Sequence, residues 1–167
     1  MTSLSTPTDV RFANLLMDSF GRIVGSSLLP AGVDERDVSR WLYEDAPFVL
    51  LAHDTSADPL FVYANRTAQR CFEYSWDEIV GMPSRLSAEA PNREERQRLL
   101  DGVRRHGYVD DYRGLRIARS GRRFWIDEAI VWNLVDDEGT RHGQAALVRR
   151  WTDASRALGC AGSSKPS

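Results

Sequence analysis

Lysine is nearly missing from this chain of 167 residues: Lys165 is the only one, and arginine supplies almost all the positive charge. The first reading of that bias is a GC-rich coding genome; a functional use of so many arginines comes second. Cysteine is almost as scarce, at Cys71 and Cys160 alone. That excludes a disulfide framework and suggests no metal cluster, so both thiols are expected to be free. There is no excess charge of either sign, the net being -2 with a pI near 5.9. A global basic field for nucleic acid is therefore absent, and the basic pairs present form no stripe. Long apolar runs are also missing, the longest lying around Ala46 to Ala52. Residues Met1 to Asp9 lack the basic region and apolar core of a signal peptide. A cytoplasmic protein is expected.

What is present suffices for one globular domain, since 42% of the residues are hydrophobic and 28% charged. Pro47 to Asp54 and Leu60 to Tyr63 are apolar runs of strand length. Thr55 to Pro59 between them favour turns, so a hairpin is expected. The run Tyr63 to Gly81 then reads as strand end, capped short helix, aromatic hinge, capping box, second short helix and Gly stop. Asn65 can cap a helix that buries Ala68, Cys71 and Phe72. Ser75 and Glu78 have capping-box spacing, with Tyr74 and Ile79 placed for a hydrophobic staple.

Before the hairpin, Phe12, Leu16, Phe20, Ile23 and Leu28 lie near helical spacing within residues 8 to 29. An amphipathic helix is expected there, broken at Pro30-Ala-Gly32 and followed by a second helical piece from Asp34 to about Tyr43. Downstream, Asn92 opens a helix that carries Leu99, Leu100 and Val103 on one face, and Gly107 ends it. Strands follow at Leu115 to Ala118, Phe124 to Val135 and Gly143 to Trp151, with turns at Ser120-Gly121 and Asp136 to Gly139. The order of two strands, several helices and three strands is α+β with one antiparallel sheet. The chain divides into an N-terminal helical segment (1–45), a core (46–151) and a small polar tail (152–167) that reads as mobile.

The runs Leu50 to Asn65, Trp76 to Glu89 with Met82-Pro-Ser-Arg-Leu-Ser-Ala88, and Gly121 to Asn133 resemble the MEKHLA domain. That PAS-like family includes small free-standing bacterial proteins and the C-terminus of some plant homeodomain-zipper regulators. The resemblance extends from about Phe12 to Arg150. It implies a PAS-like five-stranded antiparallel sheet with short helices between strands 2 and 3, preceded by N-terminal amphipathic helices. It further implies a signalling or sensory module that binds a small ligand, a protein partner, or both. Fold analogy names no ligand. A free-standing sensor has to pass its signal on by protein contact, and the N-terminal helix is the candidate surface for a homodimer. The other use of its apolar stripe is packing on its own sheet.

The candidate ligand-binding residues are His53, Asn65, Trp76, Arg85, Ser87, Arg116, Trp125, Glu128, Trp132 and Gln144. His53, at the mouth of the sheet, can donate to a ligand or to a backbone carbonyl. Arg85 with Ser84 and Ser87 can grip a carboxylate or phosphate; a salt bridge to Glu89 or Asp77 is the structural alternative. Trp76, Trp125 and Trp132 could line a flat-ligand pocket or form core. Asn65 has a cap role open to it, and Asp54 and Asp58 bracket the hairpin as turn acceptors. Glu128 is the oddity. In an unbroken pleat it shares a face with Phe124, Ile126, Ile130, Trp132 and Leu134 and would need Arg85, Arg116 or a ligand amine as partner. A bulge at Asp127-Glu128 would instead turn the acid outward.

Known cofactors of such folds find little to hold them. A flavin-adduct photoreceptor needs a Cys within an Asn-Cys-Arg-Phe-Leu type helix, whereas Cys71 follows Gln69-Arg70 on a different helix. A haem sensor needs an axial ligand, and His106, between Arg105 and Gly107, is expected to be exposed at a helix C-terminus. No direct nucleic-acid or membrane partner is expected. Two rival readings are a ligand-free interaction domain with a filled core and a small-molecule enzyme using His53, Asp127 or Glu128 as acid or base.

Overall fold

The computed structural model describes residues 6–88 and 93–154. Asn92, Glu89, Cys160 and the tail beyond residue 154 lie outside the described residues. Helix α1 spans Val10–Ile23, with the Asp9 carboxylate accepting from the Phe12 amide at 3.1 Å as its N-cap. A short helical segment follows, made of a 3-10 turn (Glu35–Asp37), helix α2 (Val38–Arg40) and a π turn (Trp41–Asp45). Strands β1 (Val49–His53) and β2 (Phe61–Ala64) form the expected hairpin.

Short helices α3 (Arg66–Phe72) and α4 (Trp76–Ile79) come next, each started by the side chain anticipated for it. Asn65 Oδ1 accepts from the Ala68 amide, and both halves of the Ser75/Glu78 capping box are made. A 3-10 turn (Ser84–Ser87) leads toward helix α5 (Arg93–His106), and Gly107, at φ 84, ends that helix in the left-handed region. The sheet is completed by β3 (Tyr108–Ile117), β4 (Arg123–Val135), β5 (Arg141–Val148) and β6 (Arg150–Asp153).

All pairings are antiparallel, and the strand order is β2-β1-β5-β4-β3, with β6 continuing β5 along β4. The sheet is α+β as expected. Two details differ from the sequence reading. Strand β3 begins at Tyr108, seven residues before Leu115, because Asp110, Asp111 and Arg113 stand on an outer edge where charged side chains reach water. The last strand breaks at Arg149 into β5 and β6.

The decisive detail is in the middle of β4. Glu128 takes φ 53, a left-handed conformation uncommon for a residue with a side chain, and the β3 register shifts beside it. Strict alternation would have kept Phe124, Ile126, Ile130, Trp132 and Leu134 together. The bulge divides them. Phe124, Ile126 and Ala129 face α3 and α4, whereas Trp132 and Leu134 join the cluster formed with α1. One side of the sheet thus receives Phe12, Leu16 and Phe20 of α1, packed on Leu50, Leu147 and Trp132. Phe20 meets the Trp132 ring edge-on at 4.7 Å, and Trp132 Nε1 donates to the buried Ser19 hydroxyl at 3.1 Å. The apolar stripe of α1 lies on its own sheet.

Candidate functional site

The opposite face of the sheet is hollow. Between it and the segment of 3-10 turn and α5 lies a cavity of about 740 Å³, within the usual range for small-ligand sites. Strand pairing explains what lines it. Leu51, Ala146 and Val131 stand side by side on β1, β5 and β4 and project inward. His53, Gln144 and Asn133 form the next rung toward the β1–β2 hairpin. Phe61, Phe72, Ile126 and Val148 extend the apolar surface, and Leu99 and Leu100 of α5 close over it.

Gly143 sets the position of the polar rung. A Cβ there would overlap the His53 carbonyl oxygen, so only glycine lets β5 lie this close to the end of β1. His53 Nδ1 donates to the Asp54 carbonyl at 3.0 Å, since a carbonyl can only accept, and this leaves Nε2 as the acceptor of the neutral ring. Burial lowers the His53 pKa below 6.5, Arg141 lowers it further, and bonds to the Asp54 carbonyl and the Gln144 side chain oppose the shift. Asp54 Oδ1 accepts from the Ser56 and Leu60 amides and holds the hairpin. Those bonds keep its pKa low, against a desolvation that acts the other way.

The guanidinium groups around the cavity are not equivalent. Arg85 Nε contacts both Asp58 oxygens, at 3.1 and 3.2 Å, so its partner among the described residues is Asp58 and not Asp77, while Glu89 lies outside the described residues. Arg116 Nη2 donates to the Tyr112 hydroxyl at 3.2 Å and its Nη1 to the Leu115 carbonyl. Arg141 Nε donates to Asn133 Oδ1 at 3.0 Å. Among the described residues, neither Arg116 nor Arg141 has a carboxylate partner.

Of the residues proposed from sequence, His53, Arg85, Ser87, Arg116 and Gln144 line this cavity. The others stand elsewhere. Asn65 is fully buried, with Oδ1 accepting from the Leu50 and Ala68 amides and Nδ2 donating to the Leu42 and Phe48 carbonyls, so no atom remains for a ligand. Trp76 packs edge-on against Tyr43 and Tyr63. Trp125 lies under the Arg113 guanidinium at 4.0 Å, and Trp132 is in the α1 core. Glu128 is exposed on the bulge, 3.6 Å from Arg150, and cannot share a ligand with Arg85. Asp127 binds Arg113 at 2.8 Å. His106 is exposed at the end of α5, away from the cavity. Cys71 is buried, and burial pushes its thiol up to about 12.

The sequence reading missed Tyr112, Arg141, Asn133, Leu51, Val131 and Ala146. Alternation on β1 and the four-residue spacing of Tyr112 and Arg116 were available signals; Val131 needed the bulge to be placed first. Among the described residues, no group of three or more His, Cys, Asp or Glu side chains could hold a metal ion, and no helix is long and apolar enough to cross a membrane.

A model of the MEKHLA domain matches residues 10–153. No match is found among curated proteins. Solved structures give the fold. The PAS domain of a protein from Colwellia psychrerythraea superposes with a TM-score of 0.59 at 13% identity, covering 70% of this chain and 96% of that one. An RNA-binding light-oxygen-voltage receptor gives 0.58 at 23% identity over 74% of this chain, and a blue-light activated histidine kinase of Erythrobacter litoralis gives 0.52 at 25% over 61%. The matches cover 35% and 32% of those two longer chains. The likeness to these proteins is one of fold, and the fold is that of PAS domains.

Proposed function

The chain belongs to the MEKHLA domain family, and from that premise we propose that it is a PAS-like sensory module whose inner cavity binds a small ligand. The observation that carries this reading is the 740 Å³ hollow with an apolar floor and a few convergent polar groups, on a sheet whose other face is filled. Binding there would reorder the 3-10 turn and α5, and the signal would leave by contact with another protein. The cytoplasm is its proposed compartment.

Catalysis is not part of this reading. In the cavity His53 is oriented by the Asp54 backbone carbonyl and not by a carboxylate, the Asp54 Oδ1 is taken by backbone amides, and Glu128 and Asp127 are outside the cavity. A ligand-free interaction domain would need a filled inner face. A homodimer through α1, the partner suggested by sequence, would have to use the exposed side of that helix, where Val10 is 61% exposed.

Native mass spectrometry of freshly purified protein tests both points. The expected spectrum contains a bound small-molecule mass, absent from an Ala146→Phe variant whose cavity is filled. A bare polypeptide mass that stays bare after incubation with a metabolite extract would contradict the sensor reading, and the same spectrum reports monomer or dimer.

A further inference from the structure

Resting on the cavity reading above, we propose that the ligand is an anion with an apolar body, a carboxylate whose head group sits against Arg141 at the His53–Gln144–Asn133 rung. The polarity of the cavity runs along the strands. At the hairpin end the lining offers the His53 imidazole, the Gln144 amide and the Arg141 guanidinium, the last held from behind by Asn133. One pleat further on, Leu51, Ala146 and Val131 offer only hydrocarbon. A ligand that fills both zones carries a polar head on an apolar body.

The sign of the head follows from the charges. Asp54, the one carboxylate in the lining among the described residues, is occupied by two backbone amides, and Arg85 is neutralised by Asp58. Arg141 is different. Asn133 holds its Nε at 3.0 Å and so fixes the plane of the guanidinium, while both terminal nitrogens are without a protein acceptor among the described residues. Arg141 is exposed at the mouth of the cavity, so a head group lying against it takes water from those nitrogens on one side only, and one that brings an acceptor replaces the bonds it displaces. A planar carboxylate matches the paired donors of a guanidinium and restores the lost bonds with charge assistance. A cationic head would instead meet an unpaired guanidinium at this end and a second, Arg116, beside Tyr112. The Gln144 side-chain amide can donate to the second oxygen, and His53 Nε2, an acceptor, can accept from a neighbouring hydroxyl.

The test is calorimetric titration of the full chain with decanoate and naphthoate, each against the neutral alcohol of the same skeleton. For at least one skeleton the acid should bind at least about tenfold more tightly than the alcohol, the usual scale of a charge-assisted bond. Arg141→Gln should remove that preference, and Arg116→Gln should keep it. Asn133→Ala, which frees Arg141 without removing its charge, should weaken the acid and leave the alcohol unchanged. Equal binding of acid and alcohol would overturn the anionic head and leave the cavity reading standing. Failure of both skeletons in both forms would overturn the two together. Loss of the preference in Arg116→Gln with its retention in Arg141→Gln would overturn the placement of the head group.

Discussion

The two faces of this one sheet are built from the same strands and differ in what fills them. On one, α1 lays Phe12, Leu16 and Phe20 onto Leu50, Leu147 and Trp132, and the space is closed. On the other, Ala146 and Val131 lie at the centre with Leu51, Phe61, Phe72 and Ile126 around them, and a hollow remains. The difference comes from a single residue. Because Glu128 steps out of the pleat at φ 53, Trp132 and Leu134 go to the packed face while Ala129 and Val131 go to the hollow one. One inserted residue reverses every side chain that follows it, so the bulge supplies mass to one face and removes it from the other.

The largest expected effect breaks the packed face. Trp132→Ala, which removes the ring under Phe20 and the bond to Ser19, should cost about 3–5 kcal/mol in denaturant unfolding. A smaller but still substantial loss should follow Asn65→Ala. It strips partners from buried backbone groups of Leu50, Ala68, Leu42 and Phe48, and about 2–3 kcal/mol is expected by the same measurement. Asn65 joins the segment in front of the sheet to β1 and α3, so its loss should be felt on both faces.

The smallest effect is specific to the hollow face. Because burial holds the His53 pKa below its unfolded value of 6.5, the unfolded chain takes up a proton before the folded one does. Stability contributed by neutral His53 is therefore present at higher pH and is lost as pH falls through that value. Denaturant curves at a series of pH values should show a shallower acid-side decline for His53→Gln than for the parent chain. An identical decline would mean that the ring is not desolvated in the fold.

Local chemistry made much of the fold legible. Asn65, Ser75 with Glu78, and Gly107 each act within a few residues of themselves, and each stands where its cap chemistry requires. Strands buried on one face were legible by alternation. The bulge was not, because Asp127-Glu128 reads equally as a buried pair seeking a cation and as a surface step. Everything that depends on register past that point was hidden with it: the faces of Ile130 and Trp132, and the existence of the cavity. Edge strand β3 was half hidden for a different reason, since Asp110, Asp111 and Arg113 break the apolar pattern at an edge that water satisfies. Within the site, His53, Gln144 and Arg116 were legible as polar groups near strand ends. Arg141 was not, because its significance lies in the acceptor it lacks, a property of its surroundings in space.

Ala145 and Ala146 offer the most direct measurement. They are neighbours on β5 that point to opposite faces, Ala145 into the cluster with α1 and Ala146 into the cavity. Thermal and denaturant unfolding of Ala145→Phe and Ala146→Phe, side by side, compare the faces at one position of one strand. The account predicts that Ala145→Phe loses about 3 kcal/mol or fails to fold, from overpacking, while Ala146→Phe stays within about 1 kcal/mol of the parent. Equal losses in the two variants would contradict it, for the inner face would then be as full as the outer.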